Sequence, residues 1–475
     1  MALIENPHIG SMHDTSAALP LPAEIFRAYD IRGIVDEQLS ADSVRLISRG
    51  IGSEALALGI DTLLVGYDGR LSSPVLSQAL IEGLLSTGCN VINLGLIPTP
   101  LLYFATHTLA ATSGVMLTAS HNPANYNGLK IVFKRSCLAD NQIQDIRQRI
   151  ERNDLVTGSG QLSAVNIKND YLENVNSRIK LERKLRIIVD CGNAVPATVA
   201  PQLFEKIGCS VTQLFCDIDG SFPNHHPDPT VSANLDTLAR RVVESGADLG
   251  IAFDGDGDRL GLVTNLGEFI DADRLLMLLV ENILPKYPGA PIVFDVKCSA
   301  HLAALITQLG GIPIMHRSGH SFMKQKMQQT RAPLGGEYAA HIFIKDQWFG
   351  YDDGIYAAAR IVEILSRLDA SASEVFGRFK TSFTTPELKI PVDEAHKFEL
   401  MQRLVDRANF PSARLIKIDG LRVEFEDGWG LVRASNTSPA LLLRFEADTE
   451  SRLEEIKDAF KALICSADKS LDVRL

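Results

Sequence analysis

Apolar and polar positions alternate in a pattern that occurs three times along the chain. Each occurrence begins with an apolar run that ends in an aspartate and is followed by small or polar residues: TLLVGYDGR (Asp68), LRIIVDCGN (Asp190) and PIVFDVKCS (Asp295). A segment with apolar residues at i, i+3 and i+4 comes next, which is the spacing of an amphipathic helix. The three segments are PVLSQALIEGLLSTG, VPATVAPQLFEKIG and AHLAALITQLG. The pattern therefore predicts three units that each open with a strand and a helix.

Each predicted helix ends at a glycine, and a second apolar run follows. The glycines are Gly88, Gly208 and Gly310, and this residue type tolerates the left-handed conformation that closes a helix. The runs CNVINLG, CSVTQLF and GIPIMHR are short second strands. Strand, helix and strand at this spacing is typical of a βαβ unit, whose strands run parallel and buried. The sequence therefore predicts three similar α/β domains in tandem, with boundaries near residues 165, 268 and 380.

The next strand of each unit ends in a polar loop, and the three loops differ. The segments are VMLTASHNP, LGIAFDGDGDR and PLGGEYAAH. They carry a candidate nucleophile, an acidic cluster and a Glu/His pair. Because ligands gather at the carboxyl ends of strands in open parallel sheets, we expect one shared site that is built by all three domains.

Composition narrows the class of protein. A chain of 475 residues with 45% hydrophobic and 22% charged residues can form about three or four domains. Its net charge of −11 argues against nucleic acid or an anionic membrane as a partner, but not against a small anionic substrate. The seven cysteines form no CxxC pair, which favours free thiols in a reducing cytoplasm. Without a secretory signal or a run long enough to span a bilayer, the sequence predicts a cytoplasmic protein, with residues 1–20 as a loose tail.

The acidic loop DGDGDR is a candidate metal site. Asp254, Asp256 and Asp258 are separated by glycines, and an oxygen-rich turn of this kind suits a hard cation such as Mg2+. An EF-hand would need Gly and Glu where Arg259 and Asn265 stand, so that alternative fails. A solvated acidic loop is the other alternative, although the run follows a buried strand. Arg259 would meet an anionic oxygen beside the metal.

The loop TASHNP places Ser120 at the end of a strand. A lone serine there commonly makes a turn, and the functional alternative is a phosphoryl acceptor and donor. No G-x-S-x-G motif surrounds it, which disfavours a hydrolase triad. Phosphoryl transfer requires a cation and positioned donors. The acidic loop would supply the cation, and Lys130, Arg259, His121 and Asn122 are the candidate donors.

The C-terminal loop RASNTSP is a candidate phosphate-binding site. Its arginine, hydroxyls and backbone N–H groups can surround a phosphate without a P-loop; the residues are Arg433, Ser435, Asn436, Thr437 and Ser438. The sequence contains no GxxxxGK[ST], which argues against a nucleoside triphosphatase. A polar hairpin turn is the alternative.

Taken in order, TASHNP, DGDGDR, GEYAAH and RASNTSP resemble the alpha-D-phosphohexomutase superfamily, and within it the bacterial phosphomannomutase/phosphoglucomutase branch. FRAYDIRG and WFGYDDGIYAAARIVEIL agree with that branch, and the resemblance extends from residue 24 to the end. It implies three α/β domains with mixed, mostly parallel sheets and a smaller C-terminal α+β domain, heart-shaped around a central cleft. The expected divisions are a tail (1–20), a phosphoserine domain (21–165), a metal domain (166–268), a sugar-binding domain (269–380) and a phosphate-binding domain (381–475).

The resemblance also implies an activity and its residues. A phosphoserine at Ser120 would exchange its phosphoryl group with a hexose phosphate, so that glucose or mannose 1- and 6-phosphates interconvert through a 1,6-bisphosphate. Glucose 1,6-bisphosphate would serve as activator and intermediate, and the enzyme would be a monomer. Mg2+ would be held by Ser120 and the three loop aspartates, with Lys130 and His341 as acid and base beside Arg259 and His121. The substrate would contact Tyr29, Arg32, Lys297, His320, Glu337, Arg433, Ser435, Asn436 and Thr437.

One position departs from the family pattern. The sugar-binding loop usually has a serine where this chain has Ala339, so one hydroxyl contact to the sugar is missing. Glu337 remains, so hexose binding is still expected while discrimination among sugars is open. The alternatives are a phosphoglucosamine mutase, which the missing serine disfavours, a metal-dependent sugar-phosphate phosphatase, and a non-catalytic sugar-phosphate sensor.

Overall fold

A computed structural model of the chain describes residues 21–393, 396–435 and 438–475. The tail expected over residues 1–20 lies outside the described residues. Within them, no helix has both the length and the apolarity that a membrane crossing requires.

The first domain is built on a seven-stranded sheet whose main path is β1-β5-β4-β2-β3-β7, with β6 beside β5. Helix α1 begins at a capping box in which Ser40 and Ser43 bond each other's backbone N–H groups. Its elements are β1 (Ile31–Ile34), α1 (Ala41–Ala57), β2 (Thr62–Tyr67), α2 (Ser73–Leu85), β3 (Asn90–Leu96), α3 (Thr99–Thr108), β4 (Gly114–Leu117), β5 (Tyr126–Phe133), β6 (Ser136–Cys137), α4 (Asn141–Glu151) and β7 (Leu162–Ala164).

The second domain has a five-stranded sheet in the order β12-β11-β10-β8-β9. Strand β12 extends this sheet two residues past the boundary predicted near 268. The elements are α5 (Lys168–Asn176), β8 (Arg186–Asp190), α6 (Ala200–Lys206), β9 (Ser210–Leu214), α7 (Asp236–Ser245), β10 (Leu249–Phe253), β11 (Leu260–Thr264) and β12 (Phe269–Ile270).

The third domain has a four-stranded sheet in the order β14-β13-β15-β16. The elements are α8 (Ala272–Ile283), β13 (Pro291–Asp295), α9 (Ala300–Gln308), β14 (Ile312–His316), α10 (His320–Thr330), β15 (Leu334–Gly336), β16 (Ile342–Ile344), α11 (Gly354–Ser366) and α12 (Ala372–Gly377). Every residue of α11 is buried, because this helix packs against strands of both the second and third sheets. One continuous apolar core joins these two domains and also includes buried residues of the first domain.

The fourth domain is a smaller α+β unit with its own core. Its antiparallel sheet has the order β17-β22-β21-β20-β19, with β18 also paired to β22. The elements are β17 (Phe383–Thr384), β18 (Leu388–Pro391), α13 (Lys397–Arg407), β19 (Arg414–Ile416), β20 (Leu421–Phe425), β21 (Gly428–Ala434), β22 (Ala440–Ala447) and α14 (Glu450–Ala467).

The threefold repeat predicted from the sequence is confirmed. The runs β3-β2-β4-β5, β9-β8-β10-β11 and β14-β13-β15-β16 share one arrangement, in which three strands are parallel and the fourth is antiparallel. Each helix is closed by its predicted glycine in the left-handed region, at Gly88, Gly208 and Gly310. The central strands β4, β10 and β15 end at the same side of their sheets, so their loops can meet. The predicted fold class, three α/β domains followed by an α+β domain, is therefore correct.

Candidate active site

Ser120 lies in the loop that follows β4 and is nearly enclosed. Its Oγ donates a hydrogen bond of 2.6 Å to Asp254 Oδ2 and lies 3.0 Å from His121 Nδ1. Its φ of +50° is uncommon for a residue with a side chain, and such backbone strain clusters at functional sites. The Thr118 hydroxyl accepts the Ser120 N–H at 2.9 Å. The backbone therefore holds the hydroxyl at a fixed position beside the acidic loop.

Arg70 anchors this loop, and no local sequence pattern indicated that role. Its guanidinium donates to the backbone carbonyls of Ser120 (2.7 Å) and Asn122 (2.6 Å), and to those of Pro123 and Tyr126 (2.6 and 3.0 Å). Its Nε lies 3.2 Å from Asp68 Oδ2. A single buried side chain thus satisfies four loop carbonyls. The available signal was its position, two residues after the aspartate that ends β2.

The acidic loop follows β10 and meets the serine loop backbone to backbone. A side chain at Gly255 would place its Cβ 2.3 Å from the Ser120 carbonyl oxygen, so only glycine permits this approach. Asp254 Oδ1 accepts the N–H groups of Gly257 (3.0 Å) and Arg259 (3.1 Å), which folds the turn around one carboxylate. Thr99 Oγ1 donates to Asp256 Oδ2 at 2.5 Å and ties the turn to the first domain.

The three aspartates form an oxygen cluster that fits a cation. Asp254, Asp256 and Asp258 are fully buried, and one carboxylate oxygen from each lies within 4.8 Å of the others. Burial and the two neighbouring carboxylates hold the pKa of Asp254 well above its ordinary value. Asp256 Oδ1 is buried without a hydrogen-bond partner among the described residues. Because buried carboxylates this close repel each other, a divalent cation with oxygen ligands would stabilise them.

Lys130, on β5, lies against the same carboxylates. Its Nζ donates to Asp256 Oδ2 at 2.7 Å and to Asp258 Oδ2 at 2.5 Å. Burial disfavours the ammonium, but the two aspartates outweigh it and raise the pKa of Lys130 above its ordinary value. Lys130 is therefore protonated in this arrangement, and a cation on the same carboxylates would lower its pKa.

His341 joins the acidic loop to the Glu337 loop. Its Nδ1 is 2.8 Å from Glu337 Oε2, and its Nε2 is 3.2 Å from Asp258 Oδ1. Burial opposes protonation of His341, but Asp258 outweighs it and raises the pKa of His341 to about 9. Glu337 Oε1 accepts the Gly319 N–H at 2.5 Å, so Glu337 orients His341 as well as facing the cleft. The backbone of Arg259 pairs with that of His341, and the Arg259 Nε lies 3.3 Å from His341 Nε2.

His121 differs from His341 in its charge environment. Burial and the nearby Arg259 hold the pKa of His121 well below its ordinary value. The imidazole beside the Ser120 hydroxyl is therefore neutral at physiological pH.

Arg32 and Tyr29 connect the serine loop to the third domain. Arg32 Nη1 donates to Asn122 Oδ1 at 2.5 Å, and Nη2 pairs with Asp30 at 2.5 Å. Tyr29 meets His320 edge-on, with ring centroids 5.0 Å apart.

Asp352 contacts His320, and no local sequence pattern indicated this role. Its Oδ2 is 3.2 Å from His320 Nδ1, and its Oδ1 accepts from Lys324 Nζ at 2.6 Å. His320 Nε2 is buried without a hydrogen-bond partner among the described residues. The sequence signal for Asp352 is its place in the GYDDG segment, which agrees with the phosphomannomutase/phosphoglucomutase branch.

Arg433, on β21, brings the fourth domain to the site. Its Nε donates to Asp419 Oδ2 at 2.9 Å, and Nη2 has no hydrogen-bond partner among the described residues. Ser435 Oγ accepts from Ser438 Oγ at 2.8 Å, which shapes the loop. Lys297 Nζ, from the third domain, lies 3.3 Å from Glu387 Oε2. Asn436 and Thr437, also predicted to bind substrate, lie outside the described residues.

All four domains line one cleft of about 710 Å³. The loop aspartates lie beneath its wall, and Ala339 contributes a methyl group to its lining. The structure thus brings together every predicted site residue that it describes. Those that line the cleft are Tyr29, Arg32, Ser120, His121, Lys130, Arg259, Lys297, His320, Glu337, His341, Arg433 and Ser435.

Models of the phosphoglucomutase/phosphomannomutase family match the chain in four consecutive parts. Alpha/beta/alpha domains I, II and III match residues 23–157, 167–267 and 271–382, and the C-terminal domain matches 387–463. The chain belongs to this family. The resemblance seen in the sequence motifs is therefore confirmed.

Curated relatives and a solved structure support the same family membership. A Pseudomonas aeruginosa protein named phosphomannomutase/phosphoglucomutase is 50% identical over 97% of this chain and 99% of its own length. A Neisseria gonorrhoeae phosphoglucomutase is 45% identical over 93% and 96%. A Burkholderia thailandensis phosphoglucomutase/phosphomannomutase family structure covers 96% of this chain and 100% of its own, with 42% identity and a TM-score of 0.91.

Proposed function

We propose that this phosphohexomutase interconverts the 1- and 6-phosphates of glucose, mannose or both through a phosphoserine at Ser120. The observation that carries this proposal is the Ser120 hydroxyl, 2.6 Å from Asp254, where a buried oxygen cluster meets a cleft lined by four domains. Phosphoserine 120 gives its phosphoryl group to the free hydroxyl of the hexose phosphate. The resulting 1,6-bisphosphate reorients within the cleft and returns its other phosphoryl group to Ser120, so no phosphate is lost.

The metal proposed here is Mg2+, held by Asp254, Asp256, Asp258 and an oxygen of phosphorylated Ser120. When bound, it neutralises charge on the phosphoryl group in transfer. Arg259, which directly follows the acidic loop's Asp258, adds a fixed positive charge beside the metal site.

Proton transfer is assigned to Lys130 and His341. The attacking sugar hydroxyl must lose a proton, and the departing serine oxygen must gain one. His341 is protonated at neutral pH in the metal-free site, and Glu337, which is not a proposed metal ligand, also holds its proton; His341 is therefore suited to donate. Lys130 contacts Asp256 and Asp258, which are also proposed Mg2+ ligands. Because a cation on these carboxylates would lower the pKa of Lys130, we assign Lys130 as the base.

The fourth domain would hold the phosphate that is not reacting. Arg433 lines the cleft, and its buried Nη2 has no hydrogen-bond partner among the described residues; Ser435, Asn436 and Thr437 would complete the contacts. Such a holder grips either end of the bisphosphate equally. Tyr29, Arg32, Lys297, His320 and Glu337 would contact the sugar or its phosphate. We also propose a cytoplasmic monomer that binds neither nucleic acid nor membrane, with glucose 1,6-bisphosphate as its activator.

The decisive experiment compares kcat/KM for glucose, mannose and glucosamine 1-phosphates, with a trace of glucose 1,6-bisphosphate and Mg2+. We expect turnover of the first two and a phosphate ester on Ser120 by intact mass and peptide mapping. Preference for the glucosamine substrate would identify a phosphoglucosamine mutase. Steady release of inorganic phosphate would identify a phosphatase, and binding without turnover a sensor.

A further inference from the structure

A second cavity of about 590 Å³ lies between α5 and α11 and shares no lining residue with the catalytic cleft. Its wall comes from the end of α5, the segment after α8, residues 347–349, and the last turns of α11. We call it the α5–α11 pocket. Five of its lining side chains are cations: Arg178, Lys180, Lys286, Arg360 and Arg367.

The cations of this pocket exceed the acids that face them. Asp346 pairs with Lys286 (3.1 Å) and Arg360 (3.0 Å). Glu363 pairs with Arg360 (3.3 Å) and Arg367 (2.7 Å). Two carboxylates therefore face five cations, and exposed Glu182, 3.9 Å from Arg367, still leaves positive charge in excess. In a chain of net charge −11, this concentration of positive charge is a local feature.

Several donors in the pocket are unused. The Lys180 ammonium makes no hydrogen bond or ion pair within the described part of the chain, and its backbone N–H is fixed by Glu363. Arg178 uses Nε for the Gln347 carbonyl and Nη1 for Asn174 and Ser177, and its Nη2 makes no hydrogen bond to the residues that the structure describes. Because these contacts hold the guanidinium in place, its free edge is preorganised to receive an anion.

An aromatic wall gives the pocket a rigid side. The Trp348 ring stacks on Tyr356 with centroids 4.3 Å apart, and the Arg178 guanidinium covers it at 5.5 Å. Trp348 Nε1 donates to Asp353 at 3.2 Å, so the indole has a fixed orientation. A ligand that reaches Arg178 therefore changes the environment of Trp348.

We infer that the α5–α11 pocket binds a small phosphate-bearing polyanion, such as a diphosphate. The volume suits a small metabolite, and the surplus cations with free donors suit adjacent phosphate groups. The occupant lies apart from the hexose phosphate of the catalytic cleft, so this inference does not depend on the proposed function.

The test uses Trp348 as the reporter. The chain has two tryptophans, so a Trp429→Phe background leaves Trp348 as the single tryptophan, which is excited at the red edge of the spectrum where the nine tyrosines do not absorb. Inorganic pyrophosphate is titrated at constant free Mg2+, and we expect a saturable change in Trp348 emission. Lys180→Ala/Lys286→Ala, which alters two exposed side chains, should weaken binding and raise the apparent Kd at least about tenfold. Lys180→Arg/Lys286→Arg should bind like the parent.

Two controls separate this pocket from other sources of signal. Lys461→Ala/Lys469→Ala removes two exposed charges from the fourth domain and should leave the Kd unchanged. Arg433→Gln weakens anion binding in the catalytic cleft and should also leave it unchanged. Absence of saturation, an unaltered Kd in Lys180→Ala/Lys286→Ala, or loss of the signal in Arg433→Gln would overturn the inference.

Discussion

The Ser120 hydroxyl owes its position to backbone contacts made by a side chain distant in sequence. A φ of +50° at Ser120 costs on the order of 1 kcal/mol or more, and the surrounding structure must offset it. Arg70 does so by binding the carbonyls of residues 120, 122, 123 and 126. Its own charge is balanced by Asp68, which is fully buried beside it. Two buried side chains, Arg70 and Asp68, thus set the geometry of the loop.

Ser120→Ala should fold normally and lose mutase activity by several orders of magnitude. The hydroxyl is the proposed phosphoryl carrier, whereas its removal deletes one oxygen and no packing contact. The coupled assay with glucose 1-phosphate measures the loss, and the exposed Ser221→Ala serves as the matched control. Isomerisation by Ser120→Ala at the normal rate would refute the phosphoserine assignment.

Arg70→Lys should lower kcat about a hundredfold with little change in KM, because an ångström of misplacement costs roughly this much. The lysine keeps a positive charge beside Asp68 but cannot reach four carbonyls at once. Steady-state kinetics and phosphoserine occupancy by mass spectrometry measure the effect. A normal kcat would show that the four carbonyl contacts are not needed for positioning.

His341 predicts a pH-dependent contribution to stability in metal-free enzyme. Its pKa is raised to about 9, so the stabilisation from the protonated form is complete below about 6.5 and lost as the pH rises through 9. The Tm advantage of wild type over His341→Gln should therefore shrink between pH 7 and pH 10. Burial lowers the pKa of His107 to about 4, so the advantage over His107→Gln should stay constant. A constant advantage over His341→Gln would contradict the raised pKa.

At the scale of elements, three copies of one strand order deliver three chemically different loops to one place. The strands β4, β10 and β15 are each followed by a loop that contains Ser120, the aspartates or Glu337. The loops touch through backbone as well as side chains: Gly255 abuts Ser120, and Arg259 bridges to His341. Helix α11 holds the second and third sheets together because it is buried against both.

Chelation should stop turnover, and Mg2+ should restore it. The acidic loop holds three buried carboxylates close together, and burial with the two neighbouring carboxylates raises the pKa of Asp254. Mg2+ should also raise the Tm of the metal-free enzyme, because it relieves their repulsion. The Tm of Asp256→Asn should respond less to Mg2+ than that of wild type. Undiminished activity in excess chelator would remove the cation from the mechanism.

At the scale of the whole molecule, the cleft exists only where four domains meet. The fourth domain is attached through Arg422, which donates to the carbonyls of Val296 (2.7 Å) and Cys298 (2.8 Å) at the end of β13. These contacts flank Lys297. The loop proposed to bind phosphate and Lys297 of the third domain are therefore positioned by the same interface.

Arg433→Ala should lower kcat/KM by about 10- to 100-fold, which corresponds to one lost charge-assisted contact. KM should rise because binding weakens, and kcat should fall because the sugar is misplaced. Arg414→Ala, an exposed arginine of the same domain, should behave like wild type. Unchanged KM and kcat in Arg433→Ala would exclude the C-terminal loop from the site.

The repeat and the motif residues could be predicted because their signals are local. Helical spacing, strand runs and the terminal glycines appear in the sequence itself, so the three domains and the loops that carry Ser120, Asp254 and Glu337 could be named. Arg70 and Asp352 could not be given roles, because each acts through partners that are remote in sequence. The bonds from Glu337 to His341 and Gly319 likewise depend on how the loops pack.

By itself, the sequence determined which elements form and which chemical groups end them, since periodicity and turn residues act over a few neighbours. The tertiary structure alone decided which of those groups meet. Ser120 and Asp254 are 134 residues apart in the chain and 2.6 Å apart in space. The burial that comes with this meeting raises the pKa of Asp254, and no local pattern encodes the environment that produces it.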